Sequence, residues 1–401
     1  MCQLAHEQSL QNDFSSLQKV FLSDSVISIG EKSFCSCKNL RYINIPSSLT
    51  EIKNEAFREC RSLEEISFSP SINFIGSLAF QNCSNLTKII IDPYNVKINN
   101  DAFMDCISLK HLEFASSVTS IRKFDFDNYW KLTEITIPNP ITSIYEDSFS
   151  NCSYIEKLTI SSIYQFGIPI FNHLTKLKEV SLNPYSKIYQ PKIFNKCSLL
   201  DHFIFSSLIT KTCQFDFNIL SKVTKITIPN SVISIGENTF RNCNLIKEIY
   251  IPNSVEHIEK DAFNGCSKLI KIKIPKNVKF IGCGAFYNCS SLEQISFDCS
   301  IKSFDNDTFN GCSKLSKISI PSSVNYIGAG AFSHCINLQN IEFPDSISFI
   351  GEGAFYKCEK LKEITIPPLI TSIKASCFME CSSLEQIKLP QFLISIEKDA
   401  F

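Results

Sequence analysis

The chain has 401 residues, 44% apolar and 20% charged, with a formal net charge of −1. That apolar share supports a substantial core, and the near-neutral balance supplies no field to attract nucleic acid or an anionic membrane. No apolar run approaches the roughly 18–20 residues of a membrane-spanning helix, so no transmembrane segment is expected.

The N-terminal stretch MCQLAHEQSLQNDFSSLQKVF lacks a basic start followed by an apolar run and does not read as a signal peptide. Residues 1–22 are expected to form an N-terminal segment and a partial first repeat. From 23 to 401 one unit recurs. Starting at Phe34, steps of 23 reach Phe57, Phe80, Phe103, Phe126 and Phe149, one step of 22 reaches Phe171, and steps of 23 then continue to Phe401. Seventeen phenylalanines fall in phase with a single deletion, which identifies an internal repeat.

Each unit reads A-F-x-x-C-x-x-L-x-x-I-x-I-P-x-S-V-x-x-I-G-x-x. The segment A-F-x-x-C-x-x-L spaces apolar residues three apart and predicts a helical or 3₁₀ turn. Leu-x-x-Ile-x-Ile alternates apolar and polar residues and predicts a strand with one buried face. A proline, as at Pro229, Pro252 and Pro275, removes a backbone donor and ends that strand. Val-x-x-Ile-Gly predicts a second short extended piece leaving through a glycine turn. A unit this short cannot bury its apolar positions alone, but stacked units can. The expected fold is therefore an α/β-type solenoid, one domain over residues 23–401, with about 16–17 coils, a parallel sheet on one face and short strands and turns elsewhere.

The stretches FNGCSKLIKIKIP (Phe263–Pro275) and FSHCINLQNIEFP (Phe332–Pro344) resemble the BspA-like leucine-rich repeat family, the 23-residue class with an F-x-x-C turn and an I-x-I-P strand. The resemblance runs from about residue 20 to the end. It weakens in an irregular centre, about 126–217, where Tyr129, Leu174 and, just beyond it, Leu220 replace the cysteine. It implies a curved leucine-rich repeat solenoid with the sheet on its inner face, binding other proteins. Family members of this kind are often surface antigens or adhesins contacting host matrix proteins, so a cell-surface or secreted setting is implied.

Thirteen of the nineteen cysteines stand three residues after the phase phenylalanine, among them Cys266, Cys289 and Cys312 behind Phe263, Phe286 and Phe309. Equivalent side chains in a stack point the same way, whereas a disulfide needs Cβ vectors aimed at each other and zinc needs four converging ligands. Leucine at two equivalent positions likewise argues for a structural ladder of small buried side chains. Cys35 with Cys37 and Cys377 with Cys381 are the off-ladder pairs, and no metal or other cofactor is expected. Many reduced cysteines fit a reducing compartment, so a cytoplasmic setting is the alternative. The six histidines scatter over different repeat phases, and no H-E-x-x-H, G-x-S-x-G or Walker motif occurs. His334 beside Cys335 is not expected to form a thiol–imidazole pair, and no catalytic residue is assigned.

Two outward rows of the strand remain. The first runs Tyr42, Glu65, Lys88, His111, Glu134, Lys157, Glu179, His202, Lys225, Glu248, Lys271, in which acid and base nearly alternate. Such a row neutralises itself and helps hold register. The second is mostly small hydroxyl residues, interrupted by Ile90, Ile204 and Tyr250. If a partner is gripped on this sheet, the candidate contacts are His202, Ile204, Lys225, Tyr250 and Lys271. Trp130, the only tryptophan, is a further candidate anchor in the irregular centre. The expected function is a non-enzymatic protein-binding module of surface-antigen or adhesin type. The alternative is an intracellular scaffold or recognition protein. The chain stops on Phe401 itself, and no polar C-terminal cap is evident in the sequence.

Overall fold

A computed structural model describes residues 16–91, 96–99, 101–115, 118, 120–121, 132–137, 141, 143–144, 149, 152–161, 165–166, 171, 173–182, 194, 196–207, 209–212 and 223–401. Contacts divide the chain into two compact units, Met1–Leu177 and Lys178–Phe401. Trp130, Tyr129 and Leu220 lie outside the described residues, as do Phe126, Phe217 and most of the irregular centre.

Both units are built from the same coil. Its first strand falls on Leu-x-x-Ile-x-Ile as the alternation requires. Glu65–Ser67 is exposed, buried, exposed, and Lys271–Ile274 repeats that alternation. In the first unit Glu65–Ser67, Lys88–Ile91, His111–Phe114, Glu134–Ile137 and Lys157–Ile160 pair in parallel and in phase. Glu65 faces Lys88, Lys88 faces His111, and Glu134 faces Lys157. In the second unit Glu179–Leu182, His202–Phe205 and Lys225–Thr227 pair likewise, as do Glu248–Ile249, Lys271–Ile274 and Gln294–Phe297. A one-residue slip would turn every core isoleucine to solvent, so the apolar pattern fixes the register. The Val-x-x-Ile segment forms the second, two-residue strand, as in Ser28–Ile29, Glu51–Ile52, Phe74–Ile75 and Lys97–Ile98, also parallel and in phase.

The segment carrying the phase phenylalanine differs from expectation. Among the described residues it holds no helix; it is a chain of reverse turns. The backbone N–H of Phe34 donates to Ala56 of the next coil at 2.8 Å and that of Ser36 to Arg58 at 2.7 Å, so these donors serve the stack and not a helix. Positive φ two residues before and two residues after the phenylalanine in the regular coils, as around Phe34, Phe57, Phe80, Phe263 and Phe309, blocks helix propagation in any case. The values include 57° at Lys32, 63° at Ser36, 54° at Asp261 and 77° at Gly311. The glycine of FNGCSKL is thereby explained. Gly265 and Gly311 occupy left-handed positions, and each lies against the side-chain oxygen of the preceding coil's asparagine, Asn242 and Asn288.

The phase phenylalanines stack through each core. In the first unit Phe34, Phe57, Phe80 and Phe103 lie 5.0–5.2 Å apart, centroid to centroid, with rings within 10° of parallel. In the second, Phe263, Phe286 and Phe309 follow at 5.3 and 5.6 Å. These separations slightly exceed the roughly 4.8 Å spacing of paired strands, and parallel rings in contact at such centroid distances are offset-stacked. Phe286 is wholly buried between two such neighbours. Replacing it by alanine is expected to cost about 3–5 kcal/mol of unfolding free energy in guanidinium titration. A loss below about 1 kcal/mol would mean that the ring stack does not carry the core.

Candidate protein-binding face

The outward positions of the long-strand sheet alternate with the buried isoleucines and so form two rows of side chains per unit. In the first unit the charges of these rows pair. Lys88 Nζ meets Glu113 Oε2 at 2.6 Å, His111 Nδ1 lies 3.5 Å from Glu134 Oε2, and Lys157 Nζ lies 3.7 Å from Glu134 Oε1. In the second unit Glu179 lies 2.9 Å from His202 Nδ1 and Glu248 lies 2.9 Å from Lys271. Exposed pairs of this kind contribute little each, typically below about 1 kcal/mol, but they favour the in-phase register over its neighbours.

The candidate contacts separate by environment. His202 is largely engaged within the ladder, since its Nε2 also lies 2.9 Å from the Thr227 hydroxyl, and its side chain is only 14% exposed. Ile204 is half-buried and faces Thr227. Lys225, Tyr250 and Lys271 are brought together around one shallow depression of about 480 Å³ in the second unit. Tyr250 is 70% exposed there. The floor is made by Ile226, Ile249, Ile272 and Ile295, which sequence reasoning treats as plain core. They retain 4–9% exposure, against 0–1% for Ile66, Ile89, Leu112 and Ile135 in the first unit. The signal that could have drawn attention to them was the exposed tyrosine in the adjoining row.

The thiols do not form a reactive site. All described cysteines are free. Each regular ladder thiol donates to the carbonyl of the preceding coil's phase phenylalanine, as from Cys289 to Phe263 and Cys335 to Phe309, both at 3.2 Å. The same carbonyl also accepts the N–H three residues on, as Phe309 does from Cys312 at 3.1 Å. Cysteine is therefore both a filler and a weak donor that links coils, a role leucine at 174 cannot take. Burial withdraws solvation from the thiolate and pushes Cys197 and Cys335 up to about 12. His334 turns away from Cys335, with Nδ1 2.9 Å from the Ser333 hydroxyl and its ring edge-on to Tyr356. Cys377 is buried and Cys381 bonds Phe355. Among the described residues no group of three or more metal-ligating side chains converges, and no helix is long and apolar enough to cross a membrane.

A coil of two short parallel strands, a turn segment and a phenylalanine–cysteine ladder defines a leucine-rich-repeat solenoid. Residues 7–122, 96–218, 187–316 and 302–401 match the family model for the BspA type leucine rich repeat region (6 copies), and the chain belongs to that family. Comparison with curated proteins gives no match. Solved structures similar to this chain include a leucine-rich repeat protein from Bacteroides ovatus, 24% identical over 94% of this chain and 85% of that one, with a TM-score of 0.36. Another, from Eubacterium ventriosum, is 21% identical over 83% of each chain, with a TM-score of 0.39. A leucine rich cell surface protein from Faecalibacterium prausnitzii is 24% identical over 93% and 87%, with a TM-score of 0.30.

Raised thiol pKa values fix a sign for pH dependence. Between the ordinary thiol value near 9 and about 12, the unfolded chain has lost protons that Cys197 and Cys335 still hold in the fold. The stability that these two thiols contribute is therefore fully present below about pH 9 and falls as pH rises from there toward 12. The midpoint of urea unfolding is expected to drop progressively across that interval, and the double variant C197L/C335L should show a shallower decline. An unchanged slope in that variant would show that Cys197 and Cys335 are not among the titrating groups.

Proposed function

We propose that the chain is a non-enzymatic protein-interaction module that binds protein ligands across the outward positions of its long-strand sheet. The observation that carries this reading is Tyr250, a large aromatic side chain 70% exposed on the lining of an open depression of the long-strand sheet. Tyrosines with a wet hydroxyl and an apolar ring are suited to anchor protein contacts, and an open depression suits a macromolecular surface better than a small substrate. Membership of the BspA-type family supports a surface-antigen or adhesin role, with host surface or matrix proteins as partners and a surface or secreted setting. A second reading, an intracellular recognition scaffold, draws support from the free thiols that act as hydrogen-bond donors in every regular coil, since they serve the stack only when reduced.

Two measurements test these readings. A photo-crosslinking phenylalanine derivative placed at Tyr250 is expected to give protein adducts that excess unlabelled protein suppresses and excess Tyr250→Ala protein does not. The same probe at Tyr326, on the short-strand sheet, should give none. Equal adducts from both positions would refute binding through the long-strand sheet. Biotinylation of intact source cells with a membrane-impermeant reagent separates the settings, labelling the chain only if it is displayed.

A further inference from the structure

We infer that the depression around Tyr250 recognises an acidic peptide segment of a protein partner; this rests on reading the long-strand sheet as the protein-binding face. The charge ladder supplies the argument. In the first unit Lys88, His111 and Lys157 each meet a carboxylate within the rows. The second unit begins the same way, with His202 against Glu179. Lys225 follows in register with His202, a base facing a base as Lys88 faces His111 in the first unit, but where Lys88 is met by Glu113, 25 residues on, the equivalent position for Lys225 is Tyr250. The other ring nitrogen of His202 is taken by Thr227, and Glu179 is already engaged.

On the far side of Lys225 the only acid lining the depression is Glu248, and it is held by Lys271 at 2.9 Å. Lys273 reaches outward to Asp298 at 2.8 Å. The three lysines of the lining thus share two carboxylates, and among the described residues Lys225 makes no ion pair. An unbalanced ammonium lies on the same depression as an exposed tyrosine ring and the partly uncovered isoleucines.

The matching ligand carries a carboxylate for Lys225 and, close to it, an apolar side chain for the floor and the Tyr250 ring. A peptide meets both demands: side chains on one face of an extended segment recur about every 6.6–6.8 Å, within the span of two coils. A polyanionic glycan or nucleic acid fits less well. Such polymers depend on several unpaired cations in a row, and here Lys271 and Lys273 are already neutralised.

The test uses the full chain and fluorescence anisotropy with a fluorescein-labelled octapeptide in which glutamates alternate with leucines. Controls are the glutamine–leucine and lysine–leucine versions and a heparin oligosaccharide. At about 50 mM salt the glutamate peptide is expected to bind about tenfold more tightly than the glutamine peptide, and the advantage should shrink toward high salt. Lys225→Gln should reduce that ratio to about twofold or less without changing the glutamine-peptide affinity. Tyr250→Ala should weaken both peptides, and Lys157→Gln in the first unit should change neither. Preferred binding of the lysine peptide, or a K225Q-sensitive heparin complex that displaces the peptide, would overturn the inference. Equal binding of the glutamate and glutamine peptides, still lost in Y250A, would overturn the acidic preference and leave the protein-binding face standing. Failure of every peptide, together with an absence of Tyr250 crosslinks, would remove both.

Discussion

The constraint on which the rest depends is that neighbouring coils must stack in phase at the spacing of paired strands. Parallel backbone pairing sets that spacing near 4.8 Å, and everything in the coil has to repeat at it. A phenylalanine ring is flat enough to stack offset on its neighbour at that repeat, which gives centroid separations of 5.0–5.6 Å in the columns Phe34–Phe103 and Phe263–Phe309. The thiol three residues on closes the turn behind it by bonding the neighbouring coil's carbonyl. A coil buries its apolar side chains only against another coil, so the stack and the coil are stable together or not at all.

The same periodicity dictates where variation is tolerated. Core positions are occupied on every face that touches a neighbouring coil, and the left-handed turn positions demand glycine, a short polar residue or strain. The outward strand positions, like the exposed turn positions, are free to differ from coil to coil. In the first unit the acid and base chosen there mostly cancel across adjacent coils. Around Tyr250 they do not, and the sheet there departs from mere self-neutralisation.

Much of the fold was legible because the repeat is so regular. Phase phenylalanines, both strands, the register and the buried thiol ladder followed from spacing and alternation alone. The turn segment was misread as helical because Phe-x-x-Cys-x-x-Leu has the same apolar spacing in a helix and in successive reverse turns. What distinguishes them is the left-handed backbone at positions such as Ser36 and Gly311. The asparagine and glycine residues recurring at those positions were the available sign. The candidate contacts were only partly sorted: Lys225, Tyr250 and Lys271 share a depression, whereas His202 is drawn into the ladder by Glu179 and Thr227.

The sequence by itself determined that this is a stack of 23-residue coils, which residues face inward, and that thirteen of its nineteen cysteines are ladder residues. These follow from periodicity, which needs no coordinates. The tertiary structure alone decided which charged side chains spend themselves on neighbours and which stay available. That depends on side-chain reach across two or three coils, on the two nitrogens of one imidazole being filled from opposite sides, and on small differences in how far an isoleucine is covered. Alternation along a strand is written in the chain, but the balance of charges across strands exists only once the coils are stacked.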